Sequence, residues 1–217
     1  MDATLILASQ SPRRQELLAA LGLAFSIEVA DVDETPWPAE AADDMVIRLS
    51  RAKVTAVAAR RPTAIVLAAD TTVALNGALL GKPTDAAEAT AMLRALRGSV
   101  HQVYTAVSVG RNSVVTCALS RSDVWMRSYS DRELAAYVAT GDPLDKAGAY
   151  AIQHPTFAPV ERWEGCFAGI MGLPLGIAAD LLAAVAVPMI SDVAQVCETM
   201  SGGPCCLRRC PRHGRLA

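Results

Sequence analysis

The sequence predicts an α/β protein: a mixed sheet with flanking helices, folded as one unit with two lobes around a cleft. Two observations lead there. In the first half, short apolar runs alternate with capped windows whose apolar positions recur every three or four residues, the strand–helix alternation of α/β folds. Further along, an Asn76-Gly77 hairpin signal and the long runs 102–109 and 114–126 add antiparallel strands, which makes the sheet mixed. There is no internal repeat, and 217 residues suffice for one substantial core or two small lobes.

The elements follow in order. Residues 5–8 read as a buried strand and 12–21 as a helix. Ser11 stands at its N-cap, Pro12 suits its first position, and Gly22 stands where a left-handed cap would stop it. A second strand falls at 25–29, before an acidic loop, Asp31-Val32-Asp33-Glu34, stiffened by Pro36 and Pro38. Met45, Leu49, Ala52 and Ala56 mark one face of a helix over 41–60, with Lys53 beside it. The apolar run 65–69 is a strand ending at Asp70-Thr71-Thr72, and Asn76-Gly77 turns 73–75 back onto 78–80. Residues 85–96 form a helix closed by Gly98. The strands 102–109 and 114–126 flank a turn at 110–112. Ser130 and Glu133 form a capping box that opens a helix ending at Gly141. Residues 145–153 lead into another strand, 160–163 and 166–170 pair around Glu164-Gly165, and 175–187 is the last helix. Beyond 190 the chain reads as a separate, poorly ordered tail.

Composition narrows the classes of function. A net charge of −2 argues against a surface that coats nucleic acid, so any phosphate ligand must be met by local cations. The apolar stretch 170–190 is broken by Gly172, Pro174, Gly176, Asp180 and Pro188, too short a helix for the roughly 20 residues that span a bilayer. No signal peptide is apparent, because the start lacks a basic region and 5–8 is too short an apolar core. The expectation is a cytoplasmic protein without a membrane partner. Cys117 and Cys166 read as small buried apolar residues. Cys197, Cys205, Cys206 and Cys210 crowd the tail near His213 in a spacing that fits no zinc pattern.

Candidate chemistry begins at the first helix. Arg13 and Arg14 in its first turn oppose the macrodipole, unless an anion sits there with the free N–H groups. A solvated arginine pair is the plain alternative. Asp70, at the end of an apolar strand, stands where open α/β sheets bind ligands; it can hold a divalent cation or take a proton from water, or simply cap a turn. Gly77-x-x-x-Gly81-Lys82-Pro83 is not a Walker loop: one residue is missing between the glycines, and Pro83 replaces the magnesium-binding hydroxyl. Lys82 alone can still bind phosphate. Trp37 and Trp163 can stack on a base or anchor packing.

Seven stretches group these residues. They are Leu-Ala-Ser-Gln-Ser-Pro-Arg-Arg-x-Glu-Leu-Leu at 7–18, Arg-Leu-Ser-x-x-Lys at 48–53 and Ala-Asp-Thr at 69–71. Leu-Gly-Lys-Pro at 80–83, His-x-Val-x-Thr-Ala-Val at 101–107, Asp-Lys-Ala-Gly-Ala-Tyr-x-Ile-Gln at 145–153 and Gly-Leu-Pro-Leu at 172–175 follow. In this order they resemble the Maf proteins, nucleoside triphosphate pyrophosphatases first described as septum-formation inhibitors. The resemblance covers residues 5 to about 187 and implies a nucleotide-binding cleft between two lobes, as in Maf and ITPase folds. It gives a domain over 1–190 and leaves 191–217 as a Cys-rich tail.

The resemblance also implies roles. Asp70 would be the proton acceptor. Arg13, Thr71 and Gln153 match positions associated with substrate choice in the branch that cleaves dTTP and UTP, and Ser9, Arg14, Lys53 and Lys82 match other polar positions of the cleft. A divalent cation, Mg2+ or Mn2+, would be held by Asp70 and Glu34, with Asp33 left open as the alternative to Glu34. Hydrolysis at the α-phosphorus would release monophosphate and pyrophosphate, in a protein expected to bind nucleotide as a homodimer. The other readings are a pyrophosphatase of broader or methylated-guanine specificity, and a non-catalytic nucleotide-binding regulator of septum formation. One departure concerns the base site: His154-Pro155-Thr156-Phe157-Ala158-Pro159 stands where the family runs through glycines.

Overall fold

The computed structural model describes residues 4–209 and 215–216. Strand β1 (Leu5–Leu7) leads into helix α1 (Pro12–Ala19), followed by strand β2 (Ser26–Ile27) and helix α2 (Ala42–Arg60). Then come β3 (Ile65–Leu75), β4 (Ala78–Leu80), α3 (Ala86–Leu96), β5 (Val100–Arg111) and β6 (Val114–Met126). Helix α4 (Asp131–Val138) precedes two 3-10 turns, Asp142–Asp145 and Ala147–Ala149. The chain continues with β7 (Val160–Glu164), α5 (Phe167–Met171), α6 (Leu175–Ala184), α7 (Val193–Ser201), α8 (Cys206–Arg209) and β8 (Arg215–Leu216).

The sheet is mixed, as expected. Its order is β2-β1-β3-β5-β6-β7, with β4 beside β3 and β8 beside β6. β1 runs parallel to β2 and β3, whereas β3, β5, β6 and β7 pair antiparallel. The long strands cross two cores. One gathers Leu7, Leu17, Leu67, Val107 and Leu182 at one end; the other gathers Val73, Leu93, Val103, Val124 and Tyr137 at the opposite end. Helix α2 covers the sheet's other face, burying Val46, Leu49, Ser50, Lys53, Val54 and Val57 at helical spacing.

Four expectations are corrected. Asp70 does not end a strand: β3 runs unbroken from Ile65 to Leu75, because β5 pairs with it along the whole length from Val66 to Ala74. Residues 145–153 do not lead directly into a strand: Gly148 and Ala149 take φ of 70° and 62° at a 3-10 turn, and β7 begins only at Val160. Residues 167–171 are helix α5, not the second arm of a hairpin, and the Cys166 thiol accepts the N–H of Gly169 at 3.3 Å.

The tail is the fourth. Val193, Val196, Cys197 and Met200 stand at i, i+3, i+4 and i+7, and helix α7 turns them toward the first core. The Asp192 carboxylate caps α7 through the N–H groups of Ala194 and Gln195. Cys197 and Cys205 are buried there, and the Ser191 hydroxyl donates to the carbonyl of Leu21 at 3.0 Å. Cys210 and His213 lie outside the described residues.

Candidate functional site

The sheet leaves a notch in one edge of β3. Parallel pairing with β1 stops at Leu7–Leu67, and antiparallel pairing with β4 begins only at Val73–Leu80. Between them, Asp70 and Thr71 border a cleft of about 570 Å3. Successive strand residues point to opposite faces, so Asp70 reaches toward α2 and Thr71 toward α1. A missing neighbour strand lets both side chains meet one ligand.

On the α2 side, Lys53 Nζ lies 2.6 Å from Asp70 Oδ1 and 2.6 Å from Glu34 Oε1. Lys53 is buried because it occupies the apolar face of α2. Burial raises the Asp70 carboxyl above its ordinary range, against the opposing pull of Lys53 and Arg14. Glu34 is half exposed; there burial is outweighed by the bond to Lys53 and by the charges of Lys53, Lys82 and Arg14, which hold its carboxyl low. Of the two acidic-loop candidates, Glu34 faces the cleft. Asp33 is exposed and accepts the N–H of Thr35 instead.

On the α1 side, Arg14 spreads its fork over three partners. Nε donates to the carbonyl of Gly172 at 2.9 Å, Nη1 to the Ser9 hydroxyl at 3.3 Å and Nη2 to the Thr71 hydroxyl at 3.2 Å. Gly172 closes α5 at φ 117°, and a β-carbon there would meet Arg14 Nε at 3.4 Å. Thr105 donates to the Gly169 carbonyl at 2.8 Å and so accepts from Thr71, 2.9 Å away. That accounting fixes the Thr71 hydroxyl as acceptor toward Arg14 and donor toward Thr105. Burial lowers the affinity of Arg14 for its proton, while Asp70 and Glu34 pull the other way.

The remaining expected residues reach the same cleft. Arg13 pairs with Asp145 at 3.1 Å, and Gln153 and Lys82 line the wall. Lys82 has no carboxylate within ion-pair distance among the described residues. Ser11 stands at the N-cap of α1 as expected, but its side chain makes no capping bond, and Ser11, Pro12, Arg13 and Arg14 all line the cleft. Neither tryptophan borders the cleft: Trp37 lies under Arg48, and Trp163 packs on Phe167. The loop after Gln153 is anchored by Phe157, which is buried and stacks on Tyr137.

The sequence reading missed Thr105, Gly172, Asp145 and Lys146 as site residues, although each lies inside one of the seven stretches. Their signal was present as membership of those stretches, without anything to say which member faced inward.

Comparison with known proteins now bears on this geometry. The family model described as "Maf-like protein" matches residues 4–185. The chain belongs to this family. Among curated relatives of the Maf-like chain, one from Myxococcus xanthus, named dTTP/UTP pyrophosphatase, is 50% identical over 85% of this chain and 94% of its own. Proteins of the same name from Thermomicrobium roseum and Methylobacillus flagellatus are 47% and 48% identical. Each alignment covers 86% of this chain, and 86% and 96% of the respective relative. The Maf-like assignment thus spans β1 through α6, and it ends before α7 and α8.

Proposed function

We propose that this chain hydrolyses nucleoside triphosphates, dTTP and UTP foremost, to the monophosphate and pyrophosphate. One observation carries the reading: a buried, pKa-raised Asp70 held by Lys53 inside a cleft that also gathers Arg13, Arg14 and Lys82. A binder of triphosphate gains little from a carboxylate beside the phosphates, whereas a hydrolase needs a base there. The relatives' names support the substrate class.

In this mechanism Asp70 accepts the proton of the water that attacks the α-phosphorus. Lys53 keeps the carboxylate in place and offsets its charge. Arg13, Arg14, Lys82 and the backbone N–H groups of Arg13 and Arg14 at the start of α1 receive the phosphates and the charge that grows on the departing pyrophosphate. Thr71 and Gln153 border the space left for the base. A glutamine amide both donates and accepts, which suits the edge shared by uracil and thymine.

Asp70 and Glu34 also fit a hard divalent cation, Mg2+ or Mn2+: each spends one oxygen on Lys53 Nζ at 2.6 Å and keeps its second oxygen as a hard ligand at the cleft. Among the described residues no group of three or more His, Cys, Asp or Glu side chains is placed to hold a metal, so phosphate oxygens and water would complete the shell. When bound, such a cation neutralises phosphate charge and polarises the phosphorus.

No helix among the described residues is long and apolar enough to cross a membrane. A cytoplasmic homodimer acting on free nucleotide, with no nucleic acid bound, completes the proposal. The net charge of −2 supports the last point, and light scattering of the purified chain tests the dimer. The function itself is tested by pyrophosphate release across the common triphosphates with magnesium: dTTP and UTP should lead ATP and CTP in kcat/KM. Equal rates on all, or a preference for a methylated guanine nucleotide, would refute the branch and keep the pyrophosphatase.

A further inference from the structure

Lys146 is a buried ammonium, 7% exposed, between the two 3-10 turns. Its three donors all have partners: the Asp142 carbonyl at 2.5 Å, Asp142 Oδ1 at 2.9 Å and Asp145 Oδ1 at 2.6 Å. An ammonium has three N–H groups and no acceptor, so nothing is left over for a phosphate. Lys146 borders the cleft and yet can act there only through what it holds.

Its partners lead to two of the residues expected to choose the base. Asp145 Oδ2 accepts from Arg13 Nη1 at 3.1 Å, and its carbonyl accepts from Arg13 Nη2 at 3.5 Å. On the other branch, Asp142 Oδ2 accepts the Tyr137 hydroxyl at 2.6 Å. The Tyr137 oxygen accepts the N–H of Ala151 at 3.1 Å, two residues before Gln153. The Asp145 carboxylate is more than half exposed, and exposed pairs contribute about 0–1 kcal/mol. Alone it would hold Arg13 loosely. Buried Lys146 supplies the rigidity.

We propose that Lys146 is the positioning residue of base selection, fixing Arg13 through Asp145 and the Gln153 segment through Asp142 and Tyr137. The inference rests on the triphosphate reading above and specifies how that site discriminates. Losing one well-placed hydrogen bond at a selective site costs on the order of tenfold in discrimination.

The test compares kcat/KM for dTTP, UTP, CTP and ATP in wild type, Lys146→Met, Lys146→Arg and Tyr137→Phe. The dTTP-to-CTP ratio should fall about tenfold in Lys146→Met, mainly through a higher KM for dTTP. Lys146→Arg should restore part of it, and Tyr137→Phe should lose part of it. A purely structural role would lower every substrate together with the Tm and leave the ratio alone; an unchanged ratio in Lys146→Met overturns the inference. Should that variant not fold, unchanged ratios in both Tyr137→Phe and Asp145→Asn overturn it equally. A wild-type chain that hydrolyses no triphosphate contradicts the functional reading itself, and one that takes all four alike contradicts its dTTP/UTP branch. Selective wild type with equally selective variants contradicts only Lys146.

Discussion

Lys53 and Asp70 form a buried ion pair, Nζ to Oδ1 2.6 Å apart, across the space between α2 and the notch in β3. The same ammonium also touches Glu34 at 2.6 Å. Replacing Asp70 therefore leaves Lys53 a second carboxylate, and this separates the catalytic cost of the change from its structural cost.

Asp70→Asn should lower kcat by roughly 10²-fold or more while substrate still binds, because the proton acceptor is lost. Stability should not fall at neutral pH. Burial raises the folded-state pKa of Asp70, so its ionised form opposes folding increasingly as pH rises above the ordinary aspartate range. Thermal melts of wild type and variant at pH 5 and 8 check the sign: the variant's relative Tm should be no lower at pH 8.

Arg14→Lys should cost more than a conserved charge suggests. A lysine cannot reach the Gly172 carbonyl, the Ser9 hydroxyl and the Thr71 hydroxyl together, as the fork does. We expect kcat/KM for dTTP to fall by about 10²-fold, with two hydrogen bonds to a charged group lost at about 1.5 kcal/mol each. Steady-state kinetics at fixed magnesium measures it.

His101 gives a pH dependence of stability away from the chemistry. Burial, opposed only by Asp123, depresses its pKa to about 4, and Nε2 lies 2.8 Å from the Tyr150 hydroxyl. The unfolded chain takes up this proton near pH 6.5 while the folded chain refuses it until about 4. Stability from this group is present above pH 6.5 and should decline by about 3 kcal/mol as pH falls toward 4. Urea melts of wild type and His101→Gln between pH 7 and 4.5 should show a shallower slope in the variant.

Removing residues 191–217 should destabilise the protein. Helices α7 and α8 lay Val193, Val196, Cys197, Met200 and Leu207 on the first core. Burying even one such side chain contributes about 1.5–3 kcal/mol. A chain ending at Ile190 should melt several degrees lower than wild type. An unchanged Tm would show that the packing of α7 contributes nothing.

Much of this architecture was legible before the structure. The long strands, the Asn76-Gly77 turn, the Ser130–Glu133 capping box and helix α2 each carry local signals that tertiary contacts reinforce. Ser9, Arg13, Arg14, Glu34, Lys53, Asp70, Thr71, Lys82 and Gln153 all border one cleft, whereas Asp33, Trp37 and Trp163 do not. What stayed hidden depends on long-range geometry. Asp70 looked terminal because its run of apolar residues ends there, but β5 pairs on past it to Ala74. Five apolar residues after Cys166 have no period to distinguish strand from helix, and the thiol cap decides. The positive φ of Ala149 leaves no mark in a non-glycine residue.

Hydrolysis of dTTP in 18O-labelled water with magnesium tests the central claim most directly, because it identifies the phosphorus that water attacks. Attack at the α-phosphorus, with Asp70 as acceptor, places the label in dTMP and leaves pyrophosphate unlabelled, and Asp70→Asn should slow that labelling by roughly 10²-fold or more without moving it. Label in pyrophosphate, or release of dTDP and labelled inorganic phosphate, would contradict the account.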